Sequence, residues 1–316
     1  MGYIGYRYAV RNLGDTHSET DPLGPSRRRP SPFRTGDIVA ERYRLRWPLG
    51  RGASGSVFEA LDLERNVAVA LKLVDLRETG REHSTWARLE REATVTVVAM
   101  HPGVVPVLDV GRIARTGYVV MELLRGDSLS DLIGGGQRLD PAVAIAIAIG
   151  VAEVLRHIHA LPLVHRDLKP AHVSLDPDAG AQWLTLLDFG LAFVPGDPVL
   201  GRMAISGVVE GTPAYMAPEQ AEAARPVGLA ADIYALGCIL FEMLTGYPPF
   251  RDSIDTVLTM HQFSAPPRVE SFRPLPAYAV PLEGLIGAML SKAPEDRPSA
   301  REIIPQLQAV AERAPD

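Results

Sequence analysis

The sequence predicts an α+β chain of two lobes, strand-rich toward the N-terminus and helix-rich toward the C-terminus. Three observations carry that expectation. From Tyr43 to Leu124 the apolar residues fall in short runs of strand length. Beyond Gly126 the runs lengthen to helical size, with loops between them. The chain has 316 residues, 47% hydrophobic and 22% charged, enough for a sizeable core.

Taken in order, residues 1–36 are rich in Gly, Pro, Ser, Thr and Arg and end in DPLGPSRRRPSPFRTGD. Such a segment buries too little to offset its ordering entropy, so it reads as a mobile tail, with Arg27–Arg29 as a solvated basic run. Strands follow at YRLRWPL (43–49), SVFEALDL (56–63) and VAVALKLVDL (67–76). A helix is predicted from Glu82 to Met100 and broken at Pro102. VVPVLDVG (104–111) and GYVVMELL (117–124) supply two more strands. The lobes should meet near ELLRGD (122–127), dividing a folded unit of 37–313 into about 37–124 and 125–313. Long helices are expected at Pro141–His159, Leu229–Leu244, Leu282–Leu290 and Ala300–Ala311, and no internal repeat is evident.

The charge and cysteine content exclude several classes. A net charge of −6 and a pI near 5.8 give no footprint for nucleic acid or an anionic membrane. The one cysteine, Cys238, lies in IYALGCILFEML and reads as a buried core thiol, which fits a reducing, cytoplasmic setting. MGYIGYRYAVRNLG lacks the apolar core and cleavage site of a leader, and Tyr6 stands where myristoylation needs Ser or Thr. The longest apolar stretch, AVAIAIAIGVA (142–152), is about half a membrane span and reads as a buried helix.

LGRGASGSV carries Gly50, Gly52 and Gly55 in a G-x-G-x-x-G pattern. A dinucleotide-binding turn has the same spelling but joins a strand to a helix. Here strand-like residues lie on both sides, so the glycines form a hairpin able to lower its backbone onto phosphates. Lys72 of VALK ends an apolar run, and burying it requires a charged partner. Glu92 on the 82–100 helix is the expected partner, ahead of Glu90.

GxGxxGxV (50–57), VALK (69–72), HRDLKP (165–170), DFG (188–190), GTPAYMAPE (211–219) and DIYALGC (232–238) occur in that order. Together they resemble the eukaryotic-like protein kinases, over about 270 residues. The lysine of HRDLKP and the GTPAYMAPEQ wording are similar to the Ser/Thr branch, and FEMLTGYPPF and APEDRPSA resemble its bacterial Hanks-type members. The resemblance implies the bilobal kinase fold, with an antiparallel N-lobe sheet plus one main helix and a mostly helical C-lobe. It also implies transfer of the ATP γ-phosphoryl group to Ser/Thr hydroxyls of proteins, including the chain itself.

By that resemblance Asp167 would accept or orient the substrate proton, and Lys169 would neutralise the transferring phosphoryl. Lys72 would hold the α/β-phosphates and Glu92 would orient it. Asp188 would hold Mg²⁺. Leu49, Gly50, Gly52, Gly55, Val57 and Ala70 would line the nucleotide from above. Met121 matches the gatekeeper position, Glu122 and Leu124 would offer backbone groups to adenine, and Asp127 would reach the ribose. Glu219 and Arg297 would form a buried ion pair, and Asp232 would hold the catalytic-loop backbone. Arg166 suggests control by activation-segment phosphorylation; Ser206 in GRMAISGVVEG is the favoured site, and Thr212 and Tyr215 lie in the substrate-facing segment. Protein substrates and a homodimer for autophosphorylation are the implied partners.

Two residues depart from the family pattern. His172 stands where an Asn ligates the second metal, and an imidazole suits Mn²⁺ or Zn²⁺ better than Mg²⁺. Protonated below about pH 6.5, an ordinary histidine would repel a metal. Ser174 replaces the apolar floor beneath adenine and so weakens contact with the base. An active kinase with altered metal use is therefore one reading, and a pseudokinase acting as a nucleotide-binding or scaffolding module is the other.

Overall fold

The computed structural model describes residues 33–52, 55–76, 82–180, 183–189, 192, 211–222 and 227–315. Strands β1 (Ile38–Val39), β2 (Tyr43–Gly52), β3 (Gly55–Asp62), β4 (Val67–Asp75), β5 (Val107–Ile113) and β6 (Thr116–Glu122) form one antiparallel sheet. Their order is β1-β2-β3-β4-β6-β5. Period-2 alternation fixes its faces: Val69, Leu71 and Leu73 of β4 pack with Tyr43, Leu45, Phe58 and Val120 on one side. Ala70 and Lys72 therefore turn to the other side, toward helix α1 (Glu82–Val98) and the cleft.

The β2–β3 hairpin is the Gly-rich one. Gly50 pairs with Val57, and Val57 pairs in turn with Lys72, so the hairpin backbone lies in register over the lysine. Gly55 takes φ of 131°, and a Cβ there would collide with the Leu73 carbonyl oxygen, so only glycine permits this closeness. Residues 33–36, given to the tail by composition, fold onto the sheet, with Gly36 N–H donating to the Leu45 carbonyl at 2.8 Å. Residues 1–32 lie outside the described residues.

Beyond the connecting segment 123–126 the chain becomes helical: α2 (Leu129–Ile133), α3 (Pro141–Ala160), α4 (Pro218–Ala221), α5 (Ala230–Thr245), α6 (Ile254–Phe263), α7 (Pro281–Met289) and α8 (Ala300–Ala311). A small antiparallel sheet of β7 (Asp127–Ser128), β8 (Val173–Leu175) and β9 (Leu184–Leu186) lies at the cleft. The caps are those the sequence supplies: Asp140 accepts from Ala142 N–H ahead of Pro141, and Ser299 with Glu302 forms a capping box on α8. α3 is long and apolar enough to cross a membrane, yet ten of its side chains are buried in the C-lobe core. Against it pack α5 and α8, with α7 against those two, and α5 leaves little but Glu242 short of full burial between Ala231 and Thr245.

Backbone bonds also stitch the lobes together. Leu186 N–H of β9 donates to the Gly103 carbonyl, and Val105 N–H donates to the Leu186 carbonyl. The loop after α1 is thus tied to the strand that leads into Asp188. That fixes where α1 stands against the cleft.

Candidate active site

Lys72 is 5% exposed, and its ammonium lies 2.6 Å from Glu92 Oε1 and 3.5 Å from Asp188 Oδ1. Burial alone would strip its charge; Glu92 and Asp188 more than offset this and hold its pKa above the ordinary lysine value. Burial raises the Glu92 carboxyl above its ordinary value, and the Lys72 ammonium opposes that shift without reversing it. Strand β4, helix α1 and the segment after β9 each supply one member of this triad. Glu90, the weaker candidate, is exposed on the opposite face of α1.

The catalytic loop hangs from the C-lobe core. Asp232, at the first turn of α5 and 1% exposed, accepts the N–H of His165 and of Arg166, each at 2.9 Å. His159 Nε2 lies 2.9 Å from Oδ2, the oxygen that accepts from His165. These donors outweigh burial and keep the Asp232 carboxyl below its usual range. Gln220 of α4 donates to the Arg166 carbonyl at 2.8 Å, and Arg166 itself has φ of 68°. Asp188 is also left-handed, at φ of 57°. Strained backbone of this kind concentrates at functional loops.

Asp167 and Lys169 meet at the end of that loop, with Lys169 Nζ 3.3 Å from Asp167 Oδ2. Thr212 closes the group: its N–H and its hydroxyl both donate to Asp167 Oδ1 at 2.9 Å, and Lys169 donates to that hydroxyl at 3.1 Å. Thr212, singled out as a regulatory candidate, is thus packed against the carboxylate. A carboxylate acceptor, an ammonium and an oriented hydroxyl can accept a proton and neutralise a phosphoryl group within one small space.

His172 sits in the turn Pro170–His172, with its Nδ1 2.9 Å from the Asp167 carbonyl oxygen and its Nε2 3.6 Å from Asp188 Oδ2. Burial drives its pKa down to about 4, against the pull of the Asp188 carboxylate, so the ring is neutral well below pH 6.5. The chemistry of the Asp188 and His172 donors fits a divalent ion, since bonds of roughly 2.1 Å from each can bridge that gap. No group of three His, Cys, Asp or Glu among the described residues could hold an ion unaided. Phosphate and water would complete its shell.

Val57 and Ala70 lie on the cleft side of β3 and β4, with Ala70 opposite Met121, and Leu49 is half exposed at the mouth. Ser174 on β8 is buried opposite Thr185. It lines a cavity of about 440 Å³ with Glu122 at the end of β6, Leu124 and Arg125 of the connecting segment, and Met100–Pro102. Asp127 is exposed on β7. Ser206 and the glycine of DFG lie outside the described residues. Sequence reasoning missed His159 and Gln220, and it named Tyr215 without its partner Glu242, to which the hydroxyl donates at 2.7 Å. Only Gln220, adjoining the APE motif, carried a visible signal.

Residues 43–307 match the family model described as the protein kinase domain. The chain is 36% identical over 285 residues to the serine/threonine-protein kinase PkaA of Streptomyces coelicolor, covering 87% of this chain and 51% of that protein. It is 35% identical to the serine/threonine-protein kinase pkn3 of Myxococcus xanthus with the same coverage, and 37% identical over 256 residues to PknE of Mycobacterium tuberculosis, covering 81% and 43%. The chain thus spans about half the length of the curated relatives it matches.

Proposed function

Because this chain belongs to the protein kinase family, we propose that it transfers the γ-phosphoryl group of ATP to serine or threonine hydroxyls of proteins, itself among them. One observation carries the reading: Lys72, held by Glu92 and Asp188, shares a cleft with the closed Asp167–Lys169–Thr212 group. Lys72 grips the α/β-phosphates, with Glu92 fixing its direction. The substrate hydroxyl oxygen bonds to the γ-phosphorus as the bond to the β-bridging oxygen breaks. Asp167 accepts the hydroxyl proton, ADP carries away the electron pair, and Lys169 stabilises the equatorial oxygens. Thr212 holds the base and the lysine in register. Asp188 would hold a divalent ion, which would supply charge neutralisation to the phosphates when bound; Mg²⁺ is the ordinary ion for such a carboxylate.

Leu49, Val57 and Ala70 cover the nucleotide, and Glu122 and Leu124 meet adenine through their backbone. Two copies meeting in trans would supply the enzyme and substrate for self-phosphorylation, and Ser206 is the favoured acceptor. The pseudokinase alternative finds no support among relatives named as kinases. Incubation with labelled ATP tests the proposal: the wild-type chain should take up label on Ser or Thr, and Lys72→Met should not. Silence of the wild type with both Mg²⁺ and Mn²⁺ would sink it.

A further inference from the structure

We propose that His172 is a direct nitrogen ligand of the divalent ion in this cleft and biases the site toward Mn²⁺ over Mg²⁺. The inference rests on the kinase reading and adds a ligand to it. A carbonyl oxygen can only accept, so at 2.9 Å from the Asp167 carbonyl the Nδ1 atom of His172 must carry the proton. That fixes the tautomer and leaves Nε2 with its lone pair. Nε2 faces Asp188 Oδ2 at 3.6 Å, too far for an N–H donor to be hydrogen-bonded there. A lone pair and a carboxylate oxygen facing each other across this gap are two donors for one cation.

The residue is held on both sides. His172 N–H donates to the Lys169 carbonyl, the His172 carbonyl accepts from Leu187 N–H, and the residue is only 9% exposed. An outer-shell hydrogen bond to the second ring nitrogen is what orients metal-binding histidines elsewhere, and its loss costs about 10–100-fold in affinity. Here the Asp167 backbone provides that bond, so the base and the ion site share one strut. Imidazole nitrogen is a softer donor than an amide or carboxylate oxygen, and mixed nitrogen–oxygen sites bind Mn²⁺ ahead of Mg²⁺.

Pulsed electron paramagnetic resonance of Mn²⁺ bound with a non-hydrolysable ATP analogue tests this without turnover. The wild-type chain should show nitrogen coupling that changes when the protein is labelled with ¹⁵N-histidine and disappears in His172→Asn. The same variant should lower the ratio of Mn²⁺ to Mg²⁺ affinity about tenfold. Bound Mn²⁺ and nucleotide with no histidine coupling in the labelled wild type would overturn the proposal, and that measurement stands even if the variant fails to fold. Nucleotide binding with Mg²⁺ alone would then leave the kinase reading intact, whereas absence of all nucleotide binding would remove both.

Discussion

Thr212 touches both Asp167 and Lys169, since its hydroxyl donates to the first while accepting from the second. Hydrogen bonds to charged groups contribute about 1.5–3 kcal/mol. Thr212→Val should therefore lower kcat roughly 10–100-fold with little change in KM for ATP, and Thr212→Ser should restore most of it. Steady-state kinetics on the purified variants checks this, and a Thr212→Val variant with unchanged kcat would show that the hydroxyl is idle. At this scale the sequence was informative where one short motif held the residue. Lys72, Asp167, Lys169 and Asp188 could be found in isolation. The engagement of Thr212 with Asp167 joins residues 45 positions apart, and His159 reaches Asp232 across 73, so no local pattern announces either.

Helix α6 is the longest of the described elements that the sequence concealed. IDTVLTMHQF buries only Val257 and His261, too sparse a stripe for the apolar period to declare a helix. By contrast α5, buried on nearly every side, and β4, with its alternating faces, were evident. What α6 holds inward is His261, whose Nδ1 lies 2.9 Å from the Tyr234 hydroxyl. Its Nε2 faces the Pro213 and Ala214 carbonyls without a bonded partner, and Lys292 donates to its carbonyl at 2.7 Å. Burial, aided by Lys292, pulls its pKa from 6.5 down to about 4. Between those values the unfolded chain takes up a proton that the folded chain refuses. Stability is thus full above about pH 6.5 and falls as pH drops toward 4, by roughly 3 kcal/mol from this group. Melting temperature followed across that window should decline for the wild type and decline less for His261→Gln. Parallel curves would mean that other groups set the acid limit.

At the scale of the whole molecule the C-lobe is braced by Arg297 and Glu219, a bidentate pair at 2.7 and 2.8 Å with almost no exposure. The remaining guanidinium donors reach the carbonyls of Ser291, Ala230 and Lys292, so the buried cation is fully satisfied. Removing one partner strands the other, which costs about 3–5 kcal/mol. Glu219→Ala should therefore lower the unfolding free energy from urea titration by that amount, and replacing both partners with apolar residues should recover much of it. A single-variant loss under about 1 kcal/mol would show the pair to be incidental. Two-lobe architecture was legible because strand-length and helix-length runs are segregated along the chain; the tie of the Gly103 loop to β9 was not, because it consists of backbone bonds that any side chains could make. The anchoring of His165 and Arg166 on the buried Asp232 carboxylate has a consequence for timescale. Their amide protons should trade for deuterium only when the C-lobe core itself opens, whereas the Thr212 amide, bonded to Asp167, needs only the neighbouring segment to lift. The loop 165–170 would then be among the slowest-exchanging loops in the molecule, as permanent as the helix it hangs from.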